Sequence, residues 1–130
     1  MTNTNTREIK FRAWDADARI MREAIDLSAP SSTYQWLGKE DLPIMQYTGL
    51  EDKNGKEIWE GDIVKMVLDP IVPQYATCEV KWQHERACFN FSKVRLENIS
   101  NPSSGWSLST HKEWEIIGNI YENPELLNHD

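Results

Sequence analysis

Thr48-Gly49-Leu50-Glu51-Asp52-Lys53-Asn54-Gly55-Lys56-Glu57-Ile58-Trp59-Glu60-Gly61-Asp62-Ile63-Val64 holds two chain reversals between apolar runs. Asp52 to Gly55 is a turn signal, because Asn54 tolerates and Gly55 readily adopts positive φ, the geometry of a type I turn followed by a glycine bulge. Leu50 and Ile58 flank this turn as apolar anchors. Glu60-Gly61-Asp62 is a second tight corner, after which Ile63, Val64, Met66, Val67 and Leu68 continue as a strand that Asp69-Pro70 stops. Four acids fall here, Asp52, Glu57, Glu60 and Asp62, and a catalytic dyad is the sharp reading of such a cluster. Turn chemistry accounts for Asp52 and strand-end solvation for the others, so no dyad is assigned.

Upstream, Ile9, Phe11 and Ala13 alternate with Lys10, Arg12 and Trp14, the period of a half-buried strand. This register puts Lys10, Arg12 and Trp14 on the polar face, where Trp14 is either covered by residues from elsewhere or an exposed contact residue. Asp15-Ala16-Asp17-Ala18 reads as a turn, Arg19-Ile20-Met21 as a short returning strand, and Pro43 to Thr48 as another strand. Residues 26–42 are left open between loop, strand and helical turn.

Downstream, Ala76 to Gln83 and Ala87 to Ser92 form a hairpin about Gln83-His84-Glu85-Arg86. Pairing Trp82 with Ala87 opposes Val80 to Phe89 and Cys78 to Phe91, and puts Cys88 on the other face, opposite Lys81. A disulfide is then disfavoured, Cys78 is a small core residue, and Cys88 is a partly exposed thiol with no catalytic base in view. His84 is a solvated turn residue at the hairpin tip. Residues 93–113 read as a long polar connection, Trp114 to Tyr121 as a closing strand, and Asn123-Pro124-Glu125-Leu126-Leu127 as a capped turn.

The chain has 130 residues, 39% apolar and 27% charged, and no window approaches the roughly 18 consecutive apolar residues of a membrane span. Its polar, uncharged start is not that of a secretory signal, so a cytoplasmic protein is expected. The net charge of -7 repels a polyphosphate at long range and disfavours generic nucleic-acid binding. Two cysteines and three histidines, His84, His111 and His129, show no metal-ligand spacing, and neither a metal nor another cofactor is expected.

Short strands at spacings of about 8–12 residues are the pattern of a small antiparallel barrel or sandwich. The expected fold is mainly β: residues 1–6 a disordered N-terminus, 7–50 an N-terminal β extension or small lobe, and 51–127 an SH3-like barrel with its closing strand. Within this, residues 57–121 form the compact barrel.

Three blocks carry a resemblance: Lys10-Phe11-Arg12-Ala13-Trp14-Asp15; Met45 to Leu50 with Asp52 to Ile58 and Glu60 to Val64; and Ile117 to Leu127. In this order, over residues 7–127, they resemble the YopX family of phage and prophage proteins. The resemblance implies a mainly β fold whose C-terminal part is an SH3-like barrel, and a gene carried by a temperate phage or a prophage. It implies no activity and no catalytic residue. Its motif residues Gly49, Asp52, Asn54, Gly55, Gly61, Asp62 and Gly118 shape turns and strand corners.

The favoured reading is therefore a non-catalytic binding module that docks on a host or phage protein, supported by six Trp and four Tyr, residue types that anchor interfaces. The alternative is single-stranded nucleic-acid binding through Lys10, Arg12 and Trp14, joined by Lys81 and Arg86. An acidic DNA mimic has thin support, and a small hydrolase would have to use Asp52, Glu57, Glu60, Asp62 and His84. Pairing of two copies through an open strand edge is expected as for other small β proteins.

Overall fold

The computed structural model describes residues 8–26, 43–69, 74–97 and 108–127. The expectations for residues 1–6 and 27–42, and for the middle of the 93–113 connection, lie outside the described residues. Eight strands run β1 (Lys10–Asp15), β2 (Ile20–Asp26), β3 (Ile44–Glu51), β4 (Glu57–Trp59), β5 (Asp62–Asp69), β6 (Gln74–Gln83), β7 (Cys88–Glu97) and β8 (Glu115–Asn119), with no α-helix among the described residues. They form two antiparallel four-stranded sheets, β2-β1-β3-β4 and β7-β6-β5-β8, one of them curled into a half-barrel. The fold is mainly β, as the sequence predicts. The expected boundary at residue 50 falls inside β3, and β4 pairs with β3 in the first sheet.

Each reversal has a local cause. Asp15 Oδ1 accepts the backbone N–H groups of Asp17 and Ala18, and its Oδ2 takes a two-pronged hydrogen bond from Arg22, closing the β1–β2 turn. Asp52 Oδ1 accepts Asn54 N–H at 2.8 Å and Lys56 N–H at 2.9 Å, while Gly55 takes φ +80°. Ile58 is fully buried beside this turn and Leu50 packs against the core. At the second corner Gly61 takes φ +89°, and Asp62 Oδ2 accepts Trp59 N–H at 2.7 Å.

The β6–β7 hairpin corrects the expected register. Gln83 pairs with Cys88, Trp82 with Phe89 and Val80 with Phe91, because His84–Arg86 winds into a 3-10 turn and Ala87 closes it at φ 52°. The slip is two residues, so each side chain keeps its expected face. Cys78, Val80 and Phe91 join Ile58, Val64, Ala76 and Trp114 in the core. Residues 93–97 prolong β7 and Leu108–Glu113 forms a 3-10 segment, so both ends of the expected polar connection are ordered into elements.

The faces of β1 are also corrected. Arg12 lies opposite Met45 and is buried, and Trp14 stacks on Tyr121 with ring centroids 6.0 Å apart. The face expected to be polar therefore packs toward the second sheet. Phe11, half-buried, and Ala13, fully buried as expected, share the opposite face with Ile44, which is 39% exposed.

β8 closes the second sheet against β5. Asp52 Oδ2 accepts Ile116 N–H at 3.0 Å, so one carboxylate both builds its own turn and holds the closing strand. Gly118 corrects a further expectation, since it is not among the positive-φ glycines. A Cβ there would lie 2.5 Å from Asn123 Oδ1, whose side chain folds back to accept Asn119 N–H. Close approach, not backbone freedom, requires glycine. Pro124–Leu127 then forms a 3-10 turn against β6 and β7.

Two predictions follow from this geometry. Burial raises the Asp52 carboxyl, but the N–H groups of Ile116, Lys56 and Asn54 outweigh it and hold the group below its ordinary value of 3.8. Its stabilisation is thus complete above the unfolded-state value and lost as pH falls through the folded one. Asp52→Asn should cost about 1–3 kcal/mol at pH 7 in urea unfolding, and the gap should narrow below about pH 4; an equal gap at pH 3 and 7 refutes the assignment. Gly118→Ala should cost about 1–3 kcal/mol, and a second change, Asn123→Gly, should recover part of that loss, whereas additive costs would mean that the contact is not what excludes the methyl group.

Candidate functional site

Two regions gather the chemistry-bearing residues. The first is the seam between the sheets. Arg12 Nη2 donates to Asp62 Oδ1 at 2.8 Å, with side chains 6% and 4% exposed, and the guanidinium lies 5.3 Å from the Trp59 ring centroid. Burial raises the Asp62 carboxyl above its usual range, against the pull of Arg12 and the Trp59 N–H. Lys10 bridges Glu57 and Glu8 and sits over the Tyr47 ring; its hydrogen bond to Glu57 raises its ammonium above the ordinary value. Beside these pairs is a cleft of about 530 Å³, lined by Arg12, Lys56, Glu57, Trp59, Asp62 and Glu122 among others.

Glu57 and Asp62 thus share a cleft, the arrangement a hydrolase would need. Each is nonetheless tied to its own cation, Lys10 for Glu57 and Arg12 for Asp62, and Asp62 also accepts a backbone N–H. Glu60 Oε1 accepts Gln46 N–H, and Asp52 is held by three backbone N–H groups. These four carboxylates organise backbone and charge; His84 stands apart, exposed in the hairpin turn. Burial pushes the Cys78 thiol up to about 12, which removes thiolate chemistry at neutral pH. Among the described residues no group of three or more His, Cys, Asp or Glu could hold a metal ion, and no helix is long and apolar enough to cross a membrane.

The second region is the outer end of the β6–β7 hairpin. The core face defined by Cys78, Val80 and Phe91 continues to Trp82 and Phe89, whose rings meet edge to face at 5.1 Å. Phe89 packs against the core, whereas Trp82 is 39% exposed. Lys81, on the opposite face of β6, and Arg86, in the hairpin turn, are exposed.

Of the five residues expected to form one interaction surface, Lys10, Arg12 and Trp14 are therefore engaged along the seam, while Lys81 and Arg86 remain open at the hairpin. The expectation of Arg12 as a surface contact is corrected by its burial against Asp62. The aromatic argument narrows in the same way, since Tyr47, Trp59, Phe91 and Trp114 are core and Trp82 is the exposed large aromatic of the described residues. Sequence reasoning missed the Arg12–Asp62 pair and the Asp52–Ile116 clamp because their partners lie 50 and 64 residues away. It also missed the exposure of Trp82, for which the alternation of β6 gave a face but not where cover of that face ends.

These features can be set beside known proteins. The crystal structure of protein EF1440 from Enterococcus faecalis matches with a TM-score of 0.57 and 27% identity, over 95% of this chain and 100% of that one. No curated protein sequence matches. The family profile described as YopX protein matches residues 10–128, taking in every described strand from β1 to β8 and both reversals around β4. With nearly the whole chain covered, this protein belongs to the YopX family.

Proposed function

We propose that this chain is a non-catalytic binding module, encoded by a phage or prophage and acting in the bacterial cytoplasm, that docks on a host or phage protein. The observation that carries the reading is Trp82. A large aromatic side chain at the end of a core face, 39% exposed and backed by Phe89, has the make-up of an interface anchor. Phe89 restrains the indole from one side, so docking would immobilise little that is not already held. The nucleic-acid alternative is weakened because Arg12 and Lys10 are neutralised by Asp62 and Glu57, which leaves Lys81 and Arg86 from its expected footprint.

The test is capture of partners on the tagged full chain from infected or lysogenic cell lysate, with and without nuclease, in parallel with Trp82→Ala. A nuclease-resistant protein should be retained by the parent chain and depleted about tenfold or more on the variant, as for loss of an interface anchor. The reading is overturned by a nuclease-sensitive yield, or by equal retention on a Trp82→Ala chain whose melting temperature matches the parent.

A further inference from the structure

Asn54-Gly55 is the one place in the chain where an asparagine precedes a glycine; each of the other eight asparagines is followed by a larger residue. The side-chain amide carbon of an asparagine and the next backbone nitrogen close a five-membered ring when they bond. Attack of that nitrogen on the amide carbon is therefore intramolecular, with a high effective concentration. A side chain on the following residue crowds the approach, and glycine has none.

The β3–β4 turn adds both exposure and restraint. Asn54 and Gly55 are exposed, and the Asn54 amide Nδ2 donates to Glu115 Oε1 over 3.4 Å, a long bond at the surface. The attacking nitrogen is occupied in the folded turn: Gly55 N–H donates to the Asp52 carbonyl at 3.0 Å, while Asn54 N–H donates to Asp52 Oδ1 at 2.8 Å. Ring closure needs the Gly55 nitrogen freed from that bond, so the turn must open first. Exposed turns open locally at a small fraction of the cost of global unfolding, and here the hydrogen bonds to Asp52 set that cost.

We propose that Asn54 is a self-modification site, converted to aspartate and isoaspartate by way of a cyclic imide, at a rate governed by the Asp52 clamp. The Gly55 nitrogen gives its proton to solvent base and bonds to Asn54 Cγ. The Cγ–Nδ2 bond breaks, and Nδ2 takes a proton from water and leaves as ammonia. Water then opens the imide. Cleavage of the bond between Cγ and the Gly55 nitrogen leaves aspartate in an ordinary chain. Cleavage of the bond between that nitrogen and the Asn54 backbone carbonyl carbon leaves isoaspartate, whose chain runs through Cβ. One water is consumed and one ammonia released, with no change of oxidation state.

Both products weaken the turn. A carboxylate at position 54 faces Glu115 where an amide had donated to it, and the isoaspartyl link lengthens a backbone that Asp52 Oδ1 spans from the N–H of residue 54 to that of Lys56. Asp52 Oδ2 holds Ile116 N–H, so the loosening reaches β8. The conversion is an irreversible ageing step of the fold, and it rests on no partner.

The full chain is incubated at mildly alkaline pH, folded and in parallel unfolded in urea, then cleaved after glutamate to release the peptide Asp52 to Glu57. Conversion is read as a mass gain of about one dalton, with isoaspartate distinguished by fragmentation. The folded chain should convert at residue 54 before any other asparagine, and about fivefold or more slowly than the unfolded one. Asp52→Ser should speed conversion of the folded chain about fivefold, while the rate in urea stays as it was. The melting temperature of the parent should drift down in step with conversion, and that of Asn54→Ser, which cannot form the imide, should hold. The proposal is overturned by a folded chain still unconverted after about ten half-times of the unfolded one, or by another asparagine converting first. Equal rates in the folded and unfolded parent remove the clamp as the governing element whether or not Asp52→Ser folds, as does an unchanged rate in a folded Asp52→Ser chain.

Discussion

Asp62 is the residue on which the two sheets depend. One oxygen accepts the Trp59 N–H and fixes the corner between β4 and β5; the other accepts Arg12 from β1, so a single side chain ties the first sheet to the start of the second. A buried guanidinium with no carboxylate partner is costly, and breaking such a pair by removing one member typically costs about 3–5 kcal/mol. The pair therefore imposes one docking of the sheets, in which Trp14 reaches Tyr121 and Tyr47 meets Trp59. Gly61 allows this approach: its N–H donates to Val80 O and its carbonyl accepts Ile120 N–H, so the corner is knitted to both β6 and the end of β8.

Legibility in the sequence followed the range of the interactions. The reversals at Asp15–Ala18, Asp52–Gly55 and Glu60–Gly61 rest on side chains bonding to backbone two to four residues away, and composition announces them. The burial of Arg12 alongside Ala13 was not legible. Alternation separates Lys10, Arg12 and Trp14 from Phe11 and Ala13, but polarity chooses the buried set only when no partner charge exists, and Asp62 supplies one from the far side of the fold. The hairpin slip has a similar origin, since a shift of two residues preserves the face pattern that the sequence encodes and only the 3-10 turn distinguishes the registers.

Gly118 shows how a correct residue can be chosen for an incorrect reason. The family resemblance marks it as a backbone-freeing glycine, while the structure makes it the floor on which Asn123 rests. That contact turns the chain after β8: Asn119 Oδ1 accepts the N–H groups of Tyr121 and Glu122, and Asn123 Oδ1 accepts Asn119 N–H. The turn brings Tyr121 onto Trp14. The third block of the sequence thus turns the chain so that Tyr121 covers Trp14 of β1.

Asp52, Glu57, Glu60, Asp62, Lys10 and Arg12 all have structural partners, and altering any of them perturbs a turn or the seam before it perturbs a partner. Trp82, on the core face of β6, is 39% exposed, and Lys81 and Arg86 are exposed on the same hairpin. An exposed indole on a continuous core face costs solubility unless something covers it.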